Sequence, residues 1–357
     1  MTSENKELEQ IGEFELIRRI SSVLDIIPDD PPLFTNLIKG ISDDAAVFRP
    51  SPEKVQLFTT DAFVEGIHFD LTFTSLKHLG WKAMIANISD IIAMNGIPRY
   101  ATIAISIPNK IFPHMVEELY QGAANACRKY SCLIVGGDTT ASIGGLIISV
   151  ALIGETEEQN VRYRNGAKPG ELICVTGHLG SSIAGLKILE REKKKYEASP
   201  DKSNFKPALE PYKLALEKHL MPKARLDMVQ IFKKNINIGA LIDISDGLAS
   251  ELHHICEESN VGAKIYEHNI PIETITGIIA QEFLEQPTDY ALYGGEEYEL
   301  LFTISDKEYE KIATLTDDVT IIGRVTEKDV ILVQENGEES PLPWGGYDHF
   351  KSKRISK

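Results

Sequence analysis

The 357-residue chain lacks any uninterrupted apolar stretch near the ~20 residues that a membrane span needs. Its polar start, MTSENKELEQ, has no apolar leader core either. A cytoplasmic protein is therefore the expectation. Positive charge is scarce: 37 Lys and Arg stand against 53 Asp and Glu, a net charge of −16. So acidic a surface argues against a nucleic-acid backbone or an anionic membrane as the main partner. It fits a phosphorylated ligand only if cations screen the charge. Cysteine is scarce as well. Cys127, Cys132, Cys174 and Cys256 show no paired His/Cys zinc spacing and sit beside apolar residues, so reduced core thiols are expected. Three nucleotide motifs are also missing: GxxxxGK[ST], GxGxxG and the protein-kinase catalytic loop. If a nucleotide is used, another fold must hold it.

What is present is ordinary globular composition, 43% hydrophobic and 25% charged, in a chain long enough for two domains. GEFELIRRISSVL reads as an amphipathic helix with Phe14, Ile17, Ile20 and Leu24 on its apolar face. Strands at Val55–Thr59 and Tyr100–Pro108 alternate with helices at Trp81–Met94 and His114–Tyr130. Apolar runs at Cys132–Val135 and Gly145–Gly154 follow. A turn-rich joint, RYRNGAKPGE, then places the domain boundary near 155–165. The division expected is 1–160 and 161–357. The second part has strands at Leu172–Thr176, Ala240–Ile244, Ala263–Tyr266, Tyr298–Ile304 and Val319–Ile322, and a helix at Leu248–Ser259. A hairpin is expected to turn at Asn336-Gly337. The charged segment EREKKKYEASPDKSNFKP reads as a solvated helix end and loop. The fold class is mixed α/β in two halves.

The informative residues are aspartates beside small or glycine residues: Asp43 and Asp44 in GISDDAA, Asp61 in FTTDA, Asp90 in NISDIIAMNG, Asp138 in IVGGDTT, and Asp243 and Asp246 in IDISDG. Any one of them alone could cap a helix or a turn. Asp61, Asp138 and Asp243 each close a hydrophobic run, the position from which strands of one sheet would deliver carboxylates to a common edge. Carboxylates gathered there need cations to offset their repulsion. Oxygen donors without His or Cys favour Mg²⁺. Glycines next to these acids, as in Gly136-Gly137-Asp138, either make tight turns or let backbone N–H groups approach a phosphate.

Other candidates each have a bland reading as well. His68 could serve a substrate or simply be packed, and Arg164 could grip a phosphate or make a surface ion pair. Glu296 and Glu297 could merely keep an edge strand soluble. Trp344 and Tyr347 could pack a flat ring or staple the tail.

The ordered set GEFELI, GISDDAA, TTD, EGIHF, WKAMIANISDIIAMNG, GGDTT, RNGAKPGE, HLMPKARLD, IDISDGL, YALYGGEEYELLFT and GYDHF resembles the thiamine-monophosphate kinases along nearly the whole chain. The resemblance implies a fold like aminoimidazole ribonucleotide synthetase, with N-terminal domains pairing in a homodimer around a shared β-barrel. It implies ATP as co-substrate, several Mg²⁺ ions, and thiamine monophosphate as phosphoryl acceptor. By that likeness Asp44, Thr59, Thr60, Asp61, Asp90, Asp138, Asp243 and Asp246 match metal positions. Tyr120, Gly137, Asp138, Arg164 and Ser245 match ATP contacts, and His68, Glu296 and Tyr347 match substrate contacts. No protein nucleophile is implied, which agrees with the absence of a Ser/His/Asp or Cys/His constellation. Two positions depart from the pattern, Ser42 for a glycine and Glu297 for an aspartate. A selenophosphate synthetase would carry a Cys near its start, whereas the first cysteine here is Cys127. Another ATP-using enzyme of the same superfamily, such as an aminoimidazole ribonucleotide synthetase, and a nucleotide-binding relative without catalysis are the alternatives.

Overall fold

A computed structural model describes residues 13–24, 36–39, 45–234 and 236–346. The chain divides into two compact units: residues up to Ile91 with Gly96–Gln159, and Ile92–Asn95 with residues from Asn160 onward.

In the first unit, helix α1 (Glu13–Leu24) buries Leu16, Ile20 and Leu24 at helical spacing, with Ile17 half-buried beside them. Arg19 on its polar side pairs with Glu117 at 3.2 Å. Strands β1 (Leu37–Lys39) and β2 (Val47–Phe48) form a small ribbon. The principal sheet contains β3 (Lys54–Val64), β4 (Ile97–Pro108), β5 (Leu133–Ser142) and β6 (Ile147–Glu157), in the order β3-β6-β4-β5. β6 runs antiparallel to both of its neighbours, and β4 and β5 are parallel.

Helix α2 (Leu76–Ala93) joins β3 to β4, and α3 (Pro113–Tyr130) makes the crossover from β4 to β5. The two helices touch at glycines: a Cβ on Gly80 would lie 1.9 Å from the Leu119 carbonyl oxygen, and one on Gly122 1.9 Å from that of Lys77. Alternation along the strands buries Ile103, Ile105, Ile148, Val150 and Leu152 on one face. The other face carries Phe58, Thr60, Ala62, Thr102 and Ala104, all exposed.

The second unit is built on seven strands: β7 (Leu172–Thr176), β8 (Ile238–Asp243), β9 (Gly262–Tyr266), β10 (Leu300–Ile304), β11 (Val319–Thr326), β12 (Val330–Val333) and β13 (Glu339–Pro341). Their order is β13-β12-β9-β11-β7-β10-β8, and only β12 and β9 run parallel. β12 and β13 form the expected hairpin, with Gly337 in the left-handed region its turn requires. Helix α4 (Ser181–Ala198) ends inside the charged segment read as a solvated helix end and loop, and residues 199–207 follow without helix or strand. Its Glu192 is buried, because its carboxylate accepts from Lys195, Arg191 and the Ala208 backbone. Helices α5 (Lys213–Leu220), α6 (Leu226–Phe232) and α7 (Leu248–Ser259) follow. α7 lays Leu248, Leu252 and Ile255 into a core with Ile173, Val175, Ile242, Ile265 and Leu301. All four cysteines are free and buried.

Candidate functional site

The expectation that one sheet carries Asp61, Asp138 and Asp243 to a common edge does not hold. Asp61 and Asp138 lie in the four-stranded sheet, Asp243 in the seven-stranded one. Asp61 and Asp138 are also mid-strand, because the polar residues after each apolar run, such as Thr139 and Thr140, continue the β ladder. Register places Asp61 opposite Val150, Val150 opposite Ile103, and Ile103 opposite Gly137. Asp138 falls in the next row, with Ala104, Ser149 and Ala62. Side chains of adjacent rows take opposite faces, so Asp61 faces the helices and Asp138 the uncovered side.

On the helix-covered face, Thr59 and Asp61 stand two residues apart on β3, and the Thr59 hydroxyl donates to Asp90 of α2. Thr60 points the other way and donates to the Val150 carbonyl at 2.9 Å. Tyr120 of α3 is buried, and burial, then the Asp138 charge, push its phenol well above its ordinary value. The Gly137 reading gains a packing reason: a Cβ there would sit 2.1 Å from the Ile103 carbonyl, so strand contact alone requires glycine. His68 is half-buried and accepts from the Val64 backbone N–H through Nδ1 at 3.0 Å. That bond holds Nδ1 as the acceptor and leaves Nε2 as the protonated nitrogen of the neutral ring.

In the second unit, Asp243 closes β8 and is buried, and Ser245-Asp246-Gly247 turn into α7. The segment YGGEEYE runs alongside. The Glu296 N–H donates to the Ser245 carbonyl at 2.7 Å, the Tyr298 N–H to that of Ile244 at 2.9 Å, and the Ile244 N–H to that of Glu299 at 2.7 Å. Gly295 permits this approach, since a Cβ would lie 2.5 Å from the Ser245 carbonyl oxygen. Glu296 itself takes a left-handed backbone, φ 64°. Arg164 is exposed, its backbone carbonyl accepting from Ser259 Oγ at 2.9 Å.

Several residues beside the site are given no functional role by the sequence. Glu251 accepts the Asp246 N–H at 3.0 Å, and burial raises its carboxyl to about 7, with the nearby Arg164 charge opposing. Glu297 is no edge solubiliser. It is 2% exposed, accepts from the Ser182 N–H at 2.9 Å, and burial pushes it up to about 8. Glu299 is held by Arg225, Thr176 and Lys218. The motifs HLMPKARLD and GGEEYE contained the signal, because charges inside apolar surroundings imply partners.

Asp43, Asp44 and Tyr347 lie outside the described residues. Among the described residues, no three His, Cys, Asp or Glu side chains are drawn together as a metal cage. The donor set is nevertheless of oxygen atoms, with Thr59 and Asp61 on one strand face and Asp90 hydrogen-bonded to Thr59. Carboxylates that leave room for waters and phosphate oxygens suit Mg²⁺, which is rarely caged by protein alone.

Two family models cover most of the chain: the AIR synthase related protein N-terminal domain at residues 42–156, and its C-terminal domain at 168–334. The fold and its acid-bearing strands therefore define a two-domain protein of the AIR synthase-related class. A thiamine-monophosphate kinase of Aquifex aeolicus is 36% identical, covering 96% of this chain and 99% of its own. That of Bacillus subtilis is 34% identical over 87% of this chain and 93% of its own. The solved structure of AaThiL complexed with AMPPCP and TMP superposes with a TM-score of 0.72 at 33% identity, covering 98% of this chain and all of that one. A thiamine-monophosphate kinase from Stenotrophomonas maltophilia K279a gives 0.75 at 28% identity, covering 92% and 98%. The chain belongs to the thiamine-monophosphate kinase family.

Proposed function

We propose that this chain transfers the γ-phosphoryl group of ATP to the phosphate of thiamine monophosphate, giving thiamine diphosphate and ADP. The observation that carries this reading is the match, over 98% of the chain, to a relative solved with an ATP analogue and TMP. The acid sets on β3, α2 and β5, and at the end of β8, give the reading its chemistry.

The physical problem of the reaction is charge, since a phosphate monoester must approach a triphosphate. Mg²⁺, when bound, would neutralise both anions and stabilise charge on the transferred group. Asp44, Thr59, Thr60, Asp61, Asp90 and Asp138 in the first unit would serve as its ligands, as would Asp243 and Asp246 in the second. Tyr120, Gly137, Asp138, Arg164 and Ser245 would contact ATP, and His68, Glu296 and Tyr347 the thiamine monophosphate. The acceptor phosphate has a second pKa of ~6, so its oxygen is already a competent nucleophile near neutral pH. No side chain has to take a proton or form a covalent intermediate, and the chain's task is to position and to screen. Transfer is then direct and in line.

The division of labour we propose assigns dimerisation and most metal and nucleotide contacts to residues 1–160, and completion of the site to 161–357. The homodimer would pair the uncovered faces of two four-stranded sheets into a barrel. That face carries Phe58, 71% exposed, among small and polar residues, a surface that a second copy would cover. Buried free thiols accord with a cytoplasmic location. Incubation with ATP, Mg²⁺ and thiamine monophosphate should yield thiamine diphosphate. Binding of both substrates without product would favour a non-catalytic nucleotide-binding role.

A further inference from the structure

Glu296, which matches a substrate-binding position, does not stand by itself. His219, in the last turn of α5, places Nδ1 3.5 Å from Glu296 Oε2 and 3.3 Å from the hydroxyl oxygen of Ser182. Ser182 opens α4, and its backbone N–H donates to Glu297, the next residue along from Glu296. A closed loop results: Glu296 to His219, His219 to Ser182, Ser182 to Glu297. Three elements far apart in sequence meet in it, and His219, Ser182 and Glu297 are all buried. Glu296 is the member whose side chain stays partly open, at 28% exposure.

We infer that His219 is a positioning residue for the organic cation end of the substrate, holding one carboxylate oxygen of Glu296 so that the other faces the ligand. This rests on the assignment of Glu296 to the substrate in the reading above. The tautomer follows from the contacts. Bare Nδ1 would set its lone pair against the Glu296 carboxylate, so the proton resides on Nδ1 and is shared between Oε2 and Ser182 Oγ. The Glu296 backbone is already fixed by its bond to Ser245, so the remaining freedom lies in its side-chain torsions. Imidazole contact removes part of that freedom before substrate arrives, and preorganisation of this kind lowers the cost of binding. A carboxylate so held suits a ligand with a delocalised positive ring and an aromatic amine donor, and does nothing for a triphosphate. The effect should therefore fall on one substrate only.

The test is steady-state kinetics on the full-length chain, varying thiamine monophosphate and ATP separately, for His219→Phe, His219→Asn and Glu296→Gln. Asn can present its amide N–H where Nδ1–H stood, and Phe cannot. His219→Phe should raise KM for thiamine monophosphate by about tenfold, the scale of one hydrogen bond to a charged group, with KM for ATP within about twofold. His219→Asn should recover most of the loss, which a merely structural histidine would not show. Equal rises in both KM values, or no recovery by Asn, would overturn the inference. If His219→Phe fails to fold, His219→Ala, which also lacks the N–H, and Glu296→Gln decide by a double-mutant cycle. Coupling between them supports the contact, and additivity refutes it. If Glu296→Gln itself leaves KM for thiamine monophosphate unchanged while turnover persists, the assignment of Glu296 fails and the inference falls with it, but the kinase activity stands.

Discussion

Arg225 Nη1 lies 2.6 Å from Glu299 Oε2, and both side chains are buried. Glu299 also accepts from Thr176 at 2.7 Å and Lys218 at 3.2 Å, and Arg225 reaches Asp227 and Asp318 with Nη2. These bonds tie β7, α5 and the start of α6 to the strand that follows Glu296. Removing one partner strands a buried charge. Arg225→Met should therefore cost about 3–5 kcal/mol of unfolding free energy, read by urea denaturation. A loss under about 1 kcal/mol would mean that Lys218 alone satisfies Glu299.

Glu297 gives a pH signature. Its carboxyl is raised from 4.5 to about 8 by burial. The folded state binds the proton more tightly than the unfolded chain, so this group's stabilisation is complete below the unfolded value and is lost as pH rises through the folded one. Glu297→Gln should flatten the decline of stability across that window, gaining ~1–3 kcal/mol at its alkaline end relative to wild type. An unchanged pH slope would place the titration elsewhere.

Asp90 accepts from Thr59 beneath the strand that carries Asp61. Asp90→Asn keeps the shape and removes the charge. It should lower kcat at least ~100-fold, the loss expected for a missing electrostatic contribution of this kind, with the circular dichroism spectrum and melting temperature nearly unchanged. Near-normal turnover would remove Asp90 from the metal set.

Phe58 occupies the uncovered face of the four-stranded sheet. A charge there is harmless to a monomer and costly inside a barrel. Phe58→Asp should shift the mass measured by light scattering from dimer to monomer without loss of secondary structure. A variant that remains dimeric would locate the interface on another surface.

Much of the second unit's secondary structure was legible in the sequence. The helix Leu248–Ser259 and the strand Leu172–Thr176 are as expected, since one has a clear apolar period and the other is a short apolar run between turn residues. Strands of the first unit run longer than their apolar runs. β3 extends through Thr60 and Asp61 to Val64, and β5 through Gly137 and Asp138 to Ser142, because ladder pairing carries polar residues that periodicity does not flag. Five short helices, from Lys213–Leu220 to Asp306–Ile312, went unseen; all have nine residues or fewer, too few to display a period. The acids of the candidate site were visible as residues, but their separation into two sheets was not, because sheet membership depends on long-range pairing. The buried set around Glu299 was hidden for the same reason: its partners lie 74 to 123 residues away.

Direct transfer carries the γ-phosphoryl of ATP onto thiamine monophosphate without a stop on the protein, and rapid-quench single turnover with γ-radiolabelled ATP follows that passage. Label should pass from ATP to thiamine diphosphate with none on the protein at any time, and Asp90→Asn should slow that passage. Label appearing on the protein before product, or released as inorganic phosphate with no thiamine diphosphate formed, would contradict it.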